Sequence, residues 1–503
     1  MSMKLPQYPE SYWLESEQLP QFSKLDKDIE ADVTIVGAGL TGITAAYLLS
    51  KRGMRVAVIE AGKILTGTTG HTTAKITAQH HLIYDEMIAH FGEEKARLYY
   101  EANISAIQFI EKTVQQLAID CDYKKESAIV YTCSVDYIKQ LENELKAYKK
   151  LGIAGELVDQ TNLPFQTRAA LVMNNQAQFN PVKYARALLH EAVKNGVNFY
   201  EETTATSIDQ PTTVVTKDKH KVSSKYIISS SHYPFHDGGE FFFTRMYAER
   251  AYVLALKMKQ PYFGGMYINA EQPTRSLRSA QVNGEELVLL SGENHKTGQG
   301  ICTIKHYEAL QQFAKEKLDV VDIRYRWSAQ DLTTLDKLPF IGHMGMGSSN
   351  VFVATGFKKW GMTTATLAAL LIEELILEQT SPYTKLFSPD RFYADPSIKT
   401  FIQVNANVAK ELITGKLTIP NKFAEQLEKD EGSAVALNGK RAGAYRDKKG
   451  VLHIVDTTCT HLGCEVEWNH GERTWDCPCH GSRFSYEGEV LEGPANKPLK
   501  RIE

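Results

Sequence analysis

No apolar run in the 503 residues is long enough to cross a bilayer. The most apolar stretch, Thr363 to Leu377, is short and carries Glu373 and Glu374. The opening residues, Met1-Ser-Met-Lys-Leu-Pro-Gln-Tyr8, lack the apolar core of a secretory signal. Charge of one sign is not in excess either. The 57 Lys+Arg and 60 Asp+Glu are interleaved and leave a net charge of −3. That excludes a polybasic nucleic-acid binder and a polybasic membrane anchor from the expected roles. There is no internal repeat and no low-complexity tract, and aliphatic and aromatic residues are spread throughout, which excludes a disordered chain. A cytoplasmic protein of two or three domains is expected.

Cysteine is sparse until the end. Cys121, Cys133 and Cys302 are scattered and read as small apolar side chains. Cys459, Cys464, Cys477 and Cys479 crowd the last 50 residues. In a cytosolic chain such a cluster points to metal before a disulfide framework.

Residues Asp32 to Glu60 read as strand, helix, strand. Val33-Thr-Ile-Val36 is a β-rich apolar run, Thr41 to Lys51 has apolar residues at helical spacing, and Arg55-Val-Ala-Val-Ile59 is a second strand. Gly37-Ala-Gly39-Leu-Thr-Gly42 joins the first strand to the helix, and Glu60 closes the second strand. In that context the G-x-G-x-x-G predicts a dinucleotide site. Gly37 permits the tight turn, Gly39 lets the backbone approach a pyrophosphate, and Gly42 lets helix pack on strand. The phosphate then rests on amides at the helix N-terminus. Glu60 is placed to accept from the adenosine ribose and would repel the 2′-phosphate of NADP. The spacing alone leaves FAD and NAD open.

The second half of the chain separates them. Asp331-Leu-Thr-Thr-Leu-Asp-Lys-Leu-Pro-Phe-Ile-Gly342, then Asn350-Val-Phe-Val-Ala-Thr-Gly-Phe357 and Gly361, resembles the C-terminal half of the D-amino-acid oxidase/glycine oxidase family of FAD enzymes. The resemblance covers about residues 30 to 380. It implies a strand at Val351 to Ala354 that delivers Thr355-Gly356 beside the flavin. A helix from near Gly361 follows, its dipole stabilising negative charge on the reduced ring. Gly67-Thr-Thr-Gly-His71-Thr-Thr resembles the family's second flavin-contacting loop, which assigns Thr68 and His71 to the cofactor. Two readings of His71 stay open. The plainer is a histidine hydrogen-bonded near the cofactor; the other is a covalent link, as in the dimethylglycine dehydrogenase branch. Family members often grip a substrate carboxylate with an arginine on the substrate-domain sheet. Arg278, with Arg275 second, is the expected residue here, against the plain reading of surface arginines. Trp360 is expected to line the pocket, and Lys358 or Lys296 to sit near the flavin. A second dinucleotide fingerprint is lacking, so no nicotinamide site is expected and the electrons come from an organic substrate.

Cys459-Thr-His461-Leu-Gly-Cys464 and Cys477-Pro-Cys479-His480-Gly-Ser482 contain C-x-H followed by C-x-x-H. Two Cys and two His suit zinc or a mixed-ligand 2Fe-2S cluster, but C-x-H is unlike a zinc knuckle. Both loops resemble those of Rieske proteins residue by residue. The resemblance implies Cys459 and Cys477 as thiolate ligands to one iron and His461 and His480 as imidazole ligands to the other. That set raises the potential above that of an all-cysteine ferredoxin. It also implies a Cys464–Cys479 disulfide between the loops, Ser482 as a donor to a cluster sulfur, and Gly493-Pro-Ala495 as a covering loop. Phe484 stands where respiratory Rieske proteins have a tyrosine; loss of that hydroxyl implies an intermediate potential.

The expected fold is an α/β Rossmann-type FAD-binding domain with an interleaved α+β substrate domain, plus a small all-β Rieske domain. Residues 1–385 form the FAD-dependent oxidoreductase, with a nucleotide-binding core at 31–80, 155–245 and 325–380 and a substrate part at 81–154 and 246–324. A connector at 386–429, punctuated by Pro389, Pro396 and Pro420, leads to the Rieske 2Fe-2S domain at 430–503. The implied function is a dehydrogenase. A small amine or amino acid is oxidised at FAD, and electrons pass singly through the cluster to an unknown acceptor. An oxidase using oxygen directly and a non-catalytic electron-transfer module stay open. A Rieske oxygenase needs mononuclear iron on two His and a carboxylate, and neither His80-His81 nor the other histidines offer that set. The cluster tip is expected to dock against the flavin domain in at least one state.

Overall fold

The computed structural model describes residues 4–209, 211–282, 284–345, 349–418 and 420–502. β1 (Val33–Val36), α1 (Leu40–Lys51) and β2 (Val56–Ile59) form the first β–α–β unit. Every residue of both strands is buried, as strands covered on two faces require. β3 (Tyr226–Ser229) lies beside β1 in a six-stranded sheet. Its order is 340–343, 351–355, 226–229, 33–36, 56–59, 198–200, all parallel except 340–343.

A nine-stranded sheet stands beside it, with β4 (Met246–Met258) and β5 (Val320–Thr334) at one edge. Four stretches expected in the nucleotide core, Lys75–Ile76, Glu156–Val158, Ala169–Gln178 and residues 325–334, are strands of this large sheet. Ala169–Gln178 pairs with Lys124–Thr132, a distant partner that local patterning does not encode.

β6 (Val351–Thr355) returns to the six-stranded sheet, and α2 (Gly361–Ile376) packs against α1. α3 (Ala394–Leu417) then carries the chain to the C-terminal module. There, three antiparallel strands (431–437, 440–446, 452–455) and four more (467–469, 474–476, 483–485, 490–492) make two small sheets. Val455, Val466, Trp475, Phe484 and Leu499 form a core of their own between the cluster loops and the strands. Among the described residues, no helix is long and apolar enough to cross a membrane.

Candidate flavin and iron–sulfur sites

The glycine turn is sterically obligatory. Gly37 has φ +105°, and a Cβ on it would lie 2.7 Å from the Ser230 carbonyl oxygen. A Cβ on Gly42 would lie 2.0 Å from the Gly37 carbonyl oxygen. Glu60 accepts from the Ala38 amide at 2.8 Å and the Gly62 amide at 2.9 Å. Burial raises its carboxyl above the usual range, and these amides offset part of that. Thr68 and His71 bound one short 3₁₀ turn beneath α1. Thr69, on the same turn, accepts from the Leu40 amide at the start of α1 (3.0 Å); nothing in its sequence context singles it out. His71 Nδ1 lies 2.9 Å from the Gly67 carbonyl, so Nδ1 carries the proton and Nε2 stays available. Burial lowers the pKa of this imidazole, which keeps it neutral.

The second half of the site is the turn from β6 to α2. Thr355 Oγ1 donates to the His232 carbonyl at 2.5 Å. Gly356 has φ +74°, and a Cβ there would lie 2.5 Å from Thr334 Cγ2. Phe357 bridges to Thr333, and the Lys358 amide donates to the Leu332 carbonyl (2.9 Å), so the turn is tied to β5. Trp360 precedes α2 and stacks on His80 with ring centroids 4.8 Å apart. The Gly-rich turn, the start of α1 and the Thr-Gly turn together fit a flavin dinucleotide.

Arg278 lies against the end of the His71 loop. Its Nε donates to the Ser279 carbonyl, and its Nη1 to those of Thr73, Ala74 and Phe179. The guanidinium also lies over the Trp13 ring, and its acidic neighbours are Asp122 and Glu126. It ties three chain segments together instead of offering its donors to a carboxylate at the flavin turn. Arg275 is bound to Glu293.

In the C-terminal module, Cys459 and Cys477 are free and buried, and their thiols are adjacent. The His461 and His480 rings meet edge-on, with centroids 5.0 Å apart and planes at 88°. His480 Nδ1 is buried with no hydrogen-bond partner. Two thiols and two imidazoles, one of them orphaned, are a donor set that fits a Rieske cluster. Cys464 and Cys479 form a disulfide, which removes them from the ligand set although their sulfurs lie within 4.8 Å of that of Cys477. Ser482 Oγ accepts from the Ala495 amide (2.9 Å), which fastens the covering loop. The bridge closes a separation of 15 residues, worth about 3 kcal/mol by chain entropy. Cys464→Ala with Cys479→Ala is therefore expected to lose its cluster signal at lower temperature than the parent, followed by visible circular dichroism on heating. Flavin absorbance should hold until the whole chain unfolds.

The cluster loops sit against the flavin domain. Between Met246↔Thr334 and Ala255↔Tyr325 the β4–β5 register is regular, so opposed residues share a face. One face bears Glu249, Val253, Trp327, Asp331 and Thr333. Trp327 donates to the His71 carbonyl (2.8 Å) and Thr333 meets Phe357, so this face looks on the flavin loops. The other face bears Ala248, Arg250, Ser328 and Gln330. Gln330 Nε2 donates to the Gly481 carbonyl (2.9 Å), and a Cβ on Gly481 would lie 2.3 Å from Ala248 Cβ. Gln299 donates to the Pro478 carbonyl (2.8 Å). Phe243 meets His461 and His480 edge-on at 5.5 and 5.6 Å. The His71 loop and the cluster loops thus meet opposite faces of the ribbon, and the Thr355-Gly356 turn packs at its end against Met246 and Thr334.

Residues 32–375 match the FAD dependent oxidoreductase family (DAO), and residues 419–503 match the Rieske [2Fe-2S] domain. The chain belongs to the FAD dependent oxidoreductase family. It is 52% identical over 498 residues, 98% of both chains, to a Bacillus subtilis (strain 168) protein described as a Rieske 2Fe-2S iron–sulfur protein, YhfW. It is 24% identical to the gamma-glutamylputrescine oxidoreductase of Escherichia coli (strain K12), covering 74% of this chain and 90% of that one. The structure of glycine oxidase from Geobacillus kaustophilus superposes with a TM-score of 0.61 at 17% identity, covering 72% of this chain and 99% of that one. As an FAD oxidoreductase with a Rieske domain, the protein needs both an electron-donating substrate and an electron acceptor.

One carboxylate on the Trp327 face of the ribbon has a shifted pKa. Burial raises Asp331 from 3.8 to about 7, with Lys359 opposing and Glu249 adding. Its folded pKa exceeds the unfolded one. Its contribution to stability is therefore full below the unfolded value and is lost as pH rises to and through about 7. Asp331→Asn should leave Tm unchanged at the acid end and raise it above pH 7. An equal gain at both ends would contradict a buried carboxyl.

Proposed function

We propose that this protein is a dehydrogenase that oxidises a small amine or amino acid at FAD and delivers the electrons singly, through the 2Fe-2S cluster, to an external one-electron acceptor. The supporting observation is the β4–β5 ribbon, with the His71 loop on one face and the cluster loops on the other. When bound, FAD accepts hydride equivalents and releases electrons one at a time, matching the one-electron capacity of the cluster. The chain's own residues supply the rest. Gly37, Gly39, Gly42 and Glu60 would hold the dinucleotide, and Thr68, His71, Thr355 and Gly356 the ring. Cys459, His461, Cys477 and His480 would hold the irons. Gln330 and Gln299 fix the cluster loops against the ribbon. The names of two relatives, a glycine oxidase and a gamma-glutamylputrescine oxidoreductase, support amine oxidation.

The test is an anaerobic titration with amines and amino acids, following flavin bleaching and the cluster's paramagnetic signal together. Bleaching accompanied by a Rieske signal is expected. If dithionite reduces both centres and no organic donor reduces either, the dehydrogenase reading fails and an electron-transfer module is left.

A further inference from the structure

A pocket with about 360 Å³ of empty space, its mouth included, opens beside Arg278. Trp13, Asp122, Lys124, Gln178 and Glu286 also line it, and none of them belongs to the glycine turn, the Thr-Gly turn or the cluster loops. Arg278 is only 2% exposed, and among the described residues no carboxylate lies within 4.0 Å of its guanidinium. A charge buried this deeply normally has a counter-ion. Arg326 is as buried and also lacks one, but carbonyls take its Nε, Nη1 and Nη2. In Arg278 carbonyls take only Nε and Nη1. Its Nη2 makes no hydrogen bond among the described residues, and the side chain forms a wall of the pocket.

Two further groups around this guanidinium are unsatisfied. Gln178, 5% exposed, donates from Nε2 to Ser279 Oγ (3.2 Å), while its Oε1 is buried without a partner. Tyr12, close enough to feel the Arg278 charge, has a buried hydroxyl in the same condition. Leaving buried polar atoms empty is costly. Positive charge is also in local excess. Lys75 pairs with Gln178 across the sheet edge, and its ammonium donates to the Tyr267 carbonyl and Ser276 Oγ, both uncharged. Burial, then Arg278, pushes its pKa down to about 7. The charged side chains at the rim are engaged elsewhere. Asp122 holds Lys183 at 3.1 Å, Glu286 accepts from the Tyr262 amide at 2.8 Å, and Lys124 is bound to Glu126.

We propose that this pocket is a second ligand site, which takes a small carboxylate bearing an α-amino or α-hydroxyl group. The carboxylate meets Arg278 Nη2, and the α-donor meets Gln178 Oε1. The site is separate from the one where substrate is oxidised and does not depend on the amine-dehydrogenase reading. Arg278 also holds the Thr73 and Ala74 carbonyls, so the ligand lies at the end of the His71 loop.

The oxidised holoenzyme is titrated by calorimetry under argon with glycolate, glycine, acetate and ethanolamine. Acetate lacks the α-donor and ethanolamine the carboxylate. Glycolate or glycine is expected to bind at least about tenfold more tightly than acetate, and ethanolamine not to bind. Gln178→Glu supplies a carboxylate of the same shape beside Arg278 and is expected to weaken glycolate binding about tenfold or more. Gln178→Leu removes only the acceptor and should bring glycolate down to the affinity of acetate. Should a variant fail to fold, the order among the four ligands decides. A flavin band shift with unchanged glycolate affinity in Gln178→Glu would place the ligand at the flavin and overturn the proposal. Failure of both glycolate and glycine to bind would also overturn it and leave a water-filled crevice.

Discussion

Gly42→Val is expected to purify without FAD while keeping its 2Fe-2S signal. A Cβ at residue 42 would lie 2.0 Å from the Gly37 carbonyl oxygen and 3.0 Å from Ser230 Oγ. Backbone occupies that space, so the clash cannot be relieved by rotating a side chain. α1 would have to lift away from β1, taking with it the amides that receive the pyrophosphate. Overpacking of this kind costs about 1–3 kcal/mol, and the stabilisation from bound FAD is lost on top of it. The C-terminal module has its own core around Trp475 and Phe484, so its cluster should survive. Gly67→Ala is the matched control in the neighbouring flavin loop. Nothing lies within 4 Å of the Cβ it would add. Flavin absorbance per protein and the cluster's paramagnetic signal, measured on both variants, decide the matter. Parental flavin content in Gly42→Val would mean that this turn does not bind the cofactor.

That prediction was legible in the sequence because everything it needs is local. Gly37, Gly39 and Gly42 fall within one turn, and strand, helix and acidic residue follow in order. The cluster loops are legible for the same reason. The expected iron ligands fall in two short loops, and the bridging Cys464 and Cys479 lie beside them. What could not be read is what depends on register between distant strands. Glu249 meets Asp331, and Arg250 meets Gln330, only because β4 and β5 pair as they do. One residue of slip would exchange the Trp327 face for the cluster face. Arg278 shows the same limit from another side. An arginine on the expected strand was identifiable, but its partners are carbonyls of segments far away in sequence. The place of Ala169–Gln178 in the large sheet is hidden for the same reason, because its partner Lys124–Thr132 is equally remote.

Arg250→Met is expected to loosen the Rieske module from the flavin domain without unfolding either. Arg250 is only 1% exposed. It donates to Ser328 Oγ at 2.5 Å and to Glu492 Oε2 at 3.4 Å, and its Nε has no partner. Burial pushes the Glu492 carboxyl up, but Arg483, then Arg250 and His232, more than offset this and hold it below the usual range. Without Arg250, Glu492 keeps Arg483 at 2.9 Å within its own module. The module's fold should therefore stand, and what disappears is charge attraction across the ribbon. Losing hydrogen bonds of this charged kind costs about 1.5–3 kcal/mol. Tyr307–Glu472, Arg326–Gly471 and Gln330–Gly481 remain, so the module should still dock for part of the time. The expected signature is faster amide exchange at residues 296–303 and 476–482, with unchanged FAD and cluster content. Reduction of the cluster by photoreduced flavin should slow, by up to about tenfold for each 1.4 kcal/mol of docking free energy lost once the undocked form predominates. Arg250→Lys keeps the charge but loses the planar fork and should fall between the two. Faster exchange with unchanged electron transfer would show that the cluster is reached by a route other than the ribbon. No change in either would show that the module is held by its neutral hydrogen bonds alone.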